Sequence, residues 1–371
     1  MKILFVFGTR PEAIKLAPLI KQFQSRPEKY DVKICVSAQH REMLDQVLEF
    51  FNIKPDFDLN IMQSDQNLFD VSERTLDAFK DIIASHKPDW LIVQGDTTTT
   101  FIGALSAFYK KIKVAHIEAG LRSFRRYSPF PEEINRILTT HLSDLHFAPT
   151  EKAKENLLRE SIPENKIFVV GNTGIDALFF CLKHISKYKS KNIRDLNSID
   201  FCKKIILVTG HRRESFGKPF KNICHALKQI SSADNVEVVY PVHLNPNVRK
   251  PVFDILKRVS NVHIIEPLSY PAMVWLMSRS YIILTDSGGI QEEAPSLGKP
   301  VLVMRDVTER TEGIEVGAAK LVGTDIDIIV SETMHLLTDK SEYDRMSKTK
   351  NPYGDGKASK RIINIFNRIL E

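Results

Sequence analysis

The stretch YIILTDSGGIQEE, residues 281–293, holds the pattern that decides the fold. Tyr281–Thr285 is a run of apolar and β-branched residues without polar alternation, the signature of a strand buried on both faces of a parallel sheet. Asp286, Ser287, Gly288 and Gly289 break that run with turn chemistry, and Ile290-Gln291-Glu292-Glu293 opens a helix. Glycines in such a turn let backbone N–H groups approach a pyrophosphate. The helix N-terminus favours the anion, and an acid early in the helix can accept both ribose hydroxyls. A bare structural turn is the alternative; the nucleotide diphosphate signal is stronger here than anywhere else in the chain.

The same unit repeats outward from this stretch. Ile205–Thr209, Val236–Tyr240, Val262–Ile265 and Val301–Met304 are further apolar runs of the second half. Ile3–Phe7, Val32–Ser37, Trp90–Gln94, Val114–Glu118, Leu145–Ala148 and Ile167–Val170 form a first set. Helical stretches separate most of them; Leu16, Leu19, Ile20 and Phe23 show the spacing of one buried helix face. Strand–helix alternation occurring twice predicts an α/β chain of two doubly wound, Rossmann-like domains. The change of domain is expected near residue 172, giving an N-terminal domain 1–172 with most acid/base candidates. Residues 173–356 form a C-terminal domain with the diphosphate signal, and 357–371 a closing helix over Ala358–Leu370. Lys183–Lys204, basic and poor in strand signal, is expected to be an exposed insertion or helix.

Composition narrows the function class. The chain has 371 residues, 43% hydrophobic and 26% charged, in the range of globular proteins, and two domains suit that length. No apolar run is long enough to span a bilayer, and MKILFVFGTR lacks the cleavage pattern of a signal peptide. A cytoplasmic location and no membrane partner follow as expectations. Cys35, Cys181, Cys202 and Cys224 are scattered, which reads as reduced thiols and neither a disulfide framework nor a zinc site. The formal net charge of +6 suits an anionic ligand but is too dispersed for nucleic acid.

Polar residues just past the strands are the candidates for chemistry, because open parallel sheets bind ligands beyond their carboxyl ends. Gly8-Thr9-Arg10-Pro11-Glu12-Ala13-Ile14-Lys15 runs from strand to glycine turn to helix start. Arg10 and Lys15 supply positive charge there, although a structural turn fits equally well. Its glycine spacing matches neither the dinucleotide fingerprint nor the P-loop, so neither NAD nor ATP is implied. Asp96 follows a strand and precedes four threonines, so a helix cap is its alternative role. Glu118 lies at a strand end where an unpartnered carboxylate is costly. Glu132 and Glu133 start a helix after a rigid two-proline turn, with dipole compensation as the plain alternative. In the second half His211, Arg212 and Arg213 occupy the place that Thr9 and Arg10 hold in the first. His243 fits a ligand loop or a packed core about equally.

Together the segments GTRPEAIK, QHREMLDQV, GDTTTT, HIEAGLRS, YSPFPEE, GHRRESFG, YPVHLNPNV, TDSGGIQEEAPSLGKPVL, RDVTERTEG and NPYGDGKAS resemble those of non-hydrolysing UDP-N-acetylglucosamine 2-epimerases, from residue 2 to about residue 360. The resemblance implies the glycosyltransferase B-type fold, two Rossmann-like domains across a cleft with the last helix returning to the first. It implies reversible conversion of UDP-N-acetylglucosamine to UDP-N-acetylmannosamine, without cofactor or metal, by a homodimer that supplies a precursor for bacterial surface polysaccharide. By motif, Asp96, Glu118, Glu132 and His211 resemble the catalytic residues. Arg10 and Lys15 resemble substrate contacts of the N-terminal domain, and Ser287, Gly288, Gly289, Glu293 and Arg310 resemble the UDP site. Gln39, Gln66, Glu132, Arg212 and His243 stand where some bacterial members bind a second, activating substrate molecule. Where some relatives present a Gln and a Phe near the uracil, this chain has Leu268 and Met273. Leu268 keeps a backbone contact, while Met273 stacks less well on a base.

Such chemistry needs these residue types. The C2–H of the sugar has no adjacent carbonyl, so inversion without a nicotinamide cofactor runs through loss of UDP from C1 and re-addition. That route calls for carboxylates around C2 and cationic or N–H donors at the departing diphosphate. A glycosyltransferase of the same fold, a hydrolysing epimerase releasing free N-acetylmannosamine, and a non-catalytic sugar-nucleotide sensor are the rival readings.

Overall fold

Runs that are apolar on both sides must be covered on both sides, and in the computed structural model they assemble into two parallel sheets flanked by helices. The structure describes residues 1–37, 41–61, 66–185 and 195–370. The chain divides into two units, Met1–Phe180 with Gly354–Glu371, and Cys181–Tyr353.

The first unit holds β1 (Lys2–Phe7), β2 (Asp31–Val36), β3 (Phe57–Asp58), β4 (Trp90–Gln94), β5 (Lys113–Ile117), β6 (Leu145–Ala148) and β7 (Ile167–Val169). Their order across the sheet is β3-β2-β1-β4-β5-β6-β7, all neighbours parallel. The second unit holds β8 (Lys204–Thr209), β9 (Val236–Pro241), β10 (Val262–Ile265), β11 (Ile282–Thr285), β12 (Val301–Val303) and β13 (Ala319–Leu321). These run β10-β9-β8-β11-β12-β13, again parallel throughout. Both sheets therefore reverse direction of growth at one place, between β1 and β4 and between β8 and β11. This is the topological switch point at which doubly wound folds open a crevice for ligands.

Two strands lack a sequence signal. β3 has two residues and β13 three, both at sheet edges and partly exposed, so neither offers a run long enough to read. The first unit also continues past residue 172 to Phe180, whose ring lies 5.1 Å from that of Phe51. Within Lys183–Lys204, the described part includes the short helical turn Asp195–Ser198, Leu196 and Ile199 are buried, and Lys204 opens β8, so it packs inward at those points rather than being exposed throughout.

The helix Ala358–Leu370 belongs to the first unit although the whole second unit precedes it in the chain. Ile362, Ile363 and Phe366 are its buried residues, and Phe366 meets Phe23 at 5.1 Å and Trp90 at 5.3 Å between ring centroids. Asp176 accepts from the backbone N–H groups of Ala358 (3.1 Å) and Ser359 (2.8 Å), fixing the start of that helix. Removing the Phe366 ring would cost about 3–5 kcal/mol by the usual penalty for emptying an aromatic core site. Among the described residues no helix is long and apolar enough to cross a membrane. No group of three or more His, Cys, Asp or Glu side chains is arranged there to hold a metal ion.

Candidate active site

In the first unit the switch point is built by the turns after β1 and β4. Gly8 is confined there: a Cβ would stand 2.1 Å from Oγ of Ser37, just past β2, and 2.7 Å from Thr99 Oγ1. Glu12, in the first turn of helix Arg10–Gln24, is 2% exposed and binds both turns. Its Oε2 accepts from the N–H groups of Gly8 (3.0 Å) and Thr9 (2.8 Å) and from the Thr9 hydroxyl. Its Oε1 accepts from the hydroxyls of Thr97 (2.8 Å) and Thr100 (2.9 Å). Burial pushes the Glu12 carboxyl above the usual range, and these hydrogen bonds oppose the shift. The amides of Gly8 and Thr9 are thus engaged by the chain's own carboxylate, which serves the structural turn.

Asp96 lies in the turn after β4, and the cap of helix Thr98–Tyr109 is Thr97, whose hydroxyl accepts from Thr100 N–H at 3.1 Å. Asp96 is therefore released from capping, and its carboxylate pairs with Arg136. Glu118 is the first residue past β5 and has φ of +64°, a left-handed conformation that a residue with a Cβ adopts only under constraint. Its side chain, 6% exposed, pairs with Lys15, accepts from Gln94 Nε2 at 2.8 Å, and stands 3.5 Å from Arg136 Nη2. Arg136 also donates from Nη1 to the Glu118 carbonyl oxygen, and Asn135 donates to that of Asp96 at 3.0 Å.

Helix Glu132–Leu142 delivers Glu132, Asn135 and Arg136 at i, i+3 and i+4, so one face serves the site. The two glutamates that start it part company. Glu133 is buried and accepts from the N–H groups of Ser123 and Phe124, each at 2.9 Å, which fixes the preceding loop. Glu132 is half-buried at the helix start. Arg10 is half-buried in the first turn of its own helix. Gln66, also half-buried, precedes the Asn67 cap of helix Leu68–His86. Gln39 lies outside the described residues.

In the second unit the turns after β8 and β11 meet in the same way. Thr209 and Thr285 are register partners, their hydroxyls 2.6 Å apart. Ser287 caps helix Gly288–Glu293 in an extended conformation, its N–H donating to Thr285 Oγ1 at 2.9 Å. Gly288 packs closely under Arg310: a Cβ would stand 3.0 Å from Arg310 Cζ, so a side chain there would require the guanidinium to shift by a few tenths of an ångström. Arg310 Nε donates to buried Glu292 at 3.0 Å, and its Nη1 pairs with Glu309. Burial alone would raise the Glu309 carboxyl, but Arg310, Arg305 and Arg212 hold it down to about 2. Glu293 ends the helix, half-buried, one residue past Glu292.

His211 follows β8. Its ring stacks on that of His243 at 5.3 Å between centroids, with 13° between planes. Burial pushes its imidazole below the usual range, with Asp286 opposing and His243 and Arg212 assisting. Arg212 N–H and His211 N–H both donate to Asp286. Leu268 is buried in the loop after β10, and Met273 is half-buried one turn into helix Tyr270–Arg279. Arg136, Glu12, Gln94, Asp286 and Glu292 were not singled out by the sequence. Arg136 carries the clearest missed signal, a cation four residues after Glu132 in a helix that starts beside the candidate carboxylates.

Two Rossmann-type sheets, each with polar and charged side chains gathered at its switch point and one with a Ser-Gly-Gly turn under an arginine, define a two-domain nucleotide-binding α/β enzyme class. Within it the chain belongs to a single family. The model of the UDP-N-acetylglucosamine 2-epimerase family matches residues 21–367. A Salmonella typhimurium protein named UDP-N-acetylglucosamine 2-epimerase is 56% identical over 367 residues, covering 98% of this chain and 97% of the relative. The crystal structure of UDP-GlcNAc 2-epimerase from Neisseria meningitidis bound to UDP-GlcNAc superposes with a TM-score of 0.93 at 51% identity, over 99% of this chain and 100% of that one. An S. aureus protein solved with UDP gives 0.89 at 46% identity, over 100% and 96%.

Proposed function

We propose that this chain interconverts UDP-N-acetylglucosamine and UDP-N-acetylmannosamine by inverting C2 through loss and return of UDP. The observation that carries the reading is the pair of carboxylates, Asp96 and Glu118, held at one switch point by a shared guanidinium. A binder of diphosphates gains nothing from two such acids, whereas removal and return of a C2 proton needs them. Glu132 joins them as the third acid. Arg10 and Lys15 act on the sugar-phosphate side. Ser287, Gly288, Gly289, Glu293 and Arg310 hold UDP in the second unit, Leu268 and Met273 face its base, and His211 acts at the diphosphate.

In the forward step the C1–O bond breaks with both electrons leaving on UDP, and positive charge builds on C1 and the ring oxygen. The C2 proton becomes acidic and passes to a carboxylate, leaving a C1–C2 double bond. Proton return to the other face, with UDP re-adding at C1, gives the epimer. Each general base contributes about 10²–10⁴-fold. We extend the same reading to regulation and assembly. Arg212, beside His211 in its turn, and His243, stacked on the His211 ring, serve with Gln39 and Gln66 for a second substrate molecule. The enzyme works in the cytoplasm as a homodimer. Exposed Leu76 and Tyr109 on adjacent helices of the first unit support self-association.

Deuterated water is the test. The carboxylate-borne proton exchanges with solvent, so deuterium must appear at C2 of the product, and oxygen label at the bridging C1–O position must scramble into the diphosphate. Full retention of the original C2 hydrogen while the mannosamine epimer accumulates overturns this mechanism. Free N-acetylmannosamine as the product would replace it with hydrolysis, and no change without an acceptor would replace it with glycosyl transfer.

A further inference from the structure

Within the second unit, one buried acid links the diphosphate turn to the histidine turn. Asp286 is the residue between β11 and Ser287, and it is 1% exposed. Parallel pairing of β8 with β11 sets Thr209 against Thr285, which brings the residues following each strand side by side. Asp286 Oδ2 is saturated: it accepts from His211 N–H at 2.7 Å and from Arg212 N–H at 2.8 Å. Asp286 Oδ1 is different. It is buried, has no hydrogen-bond partner, and stands 3.4 Å from His211 Nδ1. A buried carboxylate oxygen left unpaired costs about 1–3 kcal/mol or more, so its retention at this place calls for a donor within reach.

Among the described residues the ionisable ring at that distance is His211, and its surroundings limit what it can do. The turn carrying it is fixed from behind, because the Tyr240 hydroxyl donates to the Gly210 carbonyl at 2.9 Å and the Tyr240 ring is fully buried. His243 covers one face of the imidazole. The charged and titratable groups around the ring are Asp286, Arg212 and His243. A small rotation of the imidazole closes 3.4 Å to hydrogen-bond length without moving the backbone. We infer that Asp286 is a positioning residue for His211, accepting Nδ1–H on Oδ1 and so leaving Nε2 as the nitrogen that meets the ligand.

This rests on the proposed function only for the identity of the ligand, a diphosphate. The dyad itself is a property of the free protein. With Nδ1–H on Asp286, a neutral His211 carries no proton on Nε2. A dianionic ligand on the other side then draws a proton from solvent onto Nε2, giving an imidazolium clamped between two anions. Loss of UDP from C1 would thus be met by a donor already aimed by the turn that binds the phosphates.

Imidazole ¹⁵N NMR on the full chain tests it, with His211 assigned by its absence in His211→Gln. The free wild-type protein should show the Nδ1–H tautomer, and UDP should raise the His211 pKa by about one unit or more. In Asp286→Asn the amide nitrogen faces Nδ1, so the tautomer should switch to Nε2–H and the UDP-induced rise should shrink by at least half. Turnover should fall at least tenfold with UDP affinity changed less than tenfold. An Nε2–H tautomer in the wild-type protein overturns the inference even if the variant does not fold. An unchanged tautomer and titration in Asp286→Asn overturns it too, whatever the activity. If no epimer forms but the tautomer switches, the dyad stands and the reaction assignment fails.

Discussion

Arg136 and Glu118 are joined twice: the arginine donates from Nη1 to the Glu118 carbonyl oxygen at 2.5 Å, and its Nη2 stands 3.5 Å from the Glu118 carboxylate. The same Nη2 pairs with Asp96. One planar fork thereby fixes a backbone in the left-handed region and sets the spacing of two carboxylates. Lysine carries the charge but not the fork. Arg136→Lys should lower kcat by about 10²-fold while UDP affinity in calorimetry stays within a few-fold. Turnover within twofold of wild type would show that the fork has no part in placing the acids.

Asp96→Asn, Glu118→Gln and Glu132→Gln should each lower turnover by about 10² or more, with UDP binding within a few-fold. If all three turn over like wild type, the carboxylates serve only the ion-pair network and the helix start.

UDP binding should reside in the second unit. Arg310 fills the space above Gly288 and is braced by Glu292 and Glu309, so Arg310→Ala removes a cation and frees two acids beside the Ser-Gly-Gly turn. Affinity for UDP should fall at least tenfold, and Glu293→Ala should do the same. Unchanged calorimetric titrations in both variants would place the nucleotide elsewhere.

How much of this was written in the sequence varies with the physics of each part. The long strands β1, β4 and β8 were legible because a run such as Ile3–Phe7 is fully buried and carries no polar residue. β3 and β13 were not, since edge strands of two and three residues bury too little to leave a pattern. Asp96 and Glu118 could be read as strand-end acids. The pairing with Arg136 was not legible, because it joins Asp96 to a residue 40 positions on and depends on sheet order, although the cation four residues after Glu132 was a signal that could have been used. Glu12 was hidden for a different reason. A glycine turn before a helix reads equally as an anion site or a structural turn, and the sequence does not say that the chain's own carboxylate binds its amides.

That carboxylate makes a stability prediction. Glu12→Ala leaves the amides of Gly8 and Thr9 and the Thr97 hydroxyl without their acceptor, and should cost about 3 kcal/mol or more in denaturant unfolding. A loss below about 0.5 kcal/mol would mean that water replaces the side chain freely.

His116 and His146 are fully buried, and burial holds both imidazoles below their usual pKa, His116 the further. The unfolded chain therefore binds protons that the folded one refuses. Their contribution is present above about pH 6.5 and is lost as pH falls toward the depressed folded values. The denaturant midpoint should drop between pH 7 and pH 5, and His146→Gln should reduce that slope. A midpoint that is flat over this range in the wild-type protein would contradict the assignment.

The return of helix Ala358–Leu370 to the first unit governs how the protein can be made. A ribosome must release all of Cys181–Tyr353 before the segment bearing Phe366 emerges, and until then Phe23, Trp90 and Phe147 share an unfilled hydrophobic slot. The second unit is contiguous and can fold as it is synthesised, whereas the first must wait. A nascent chain stalled before residue 358 would offer that slot to chaperones, although every residue of the first sheet had already been translated.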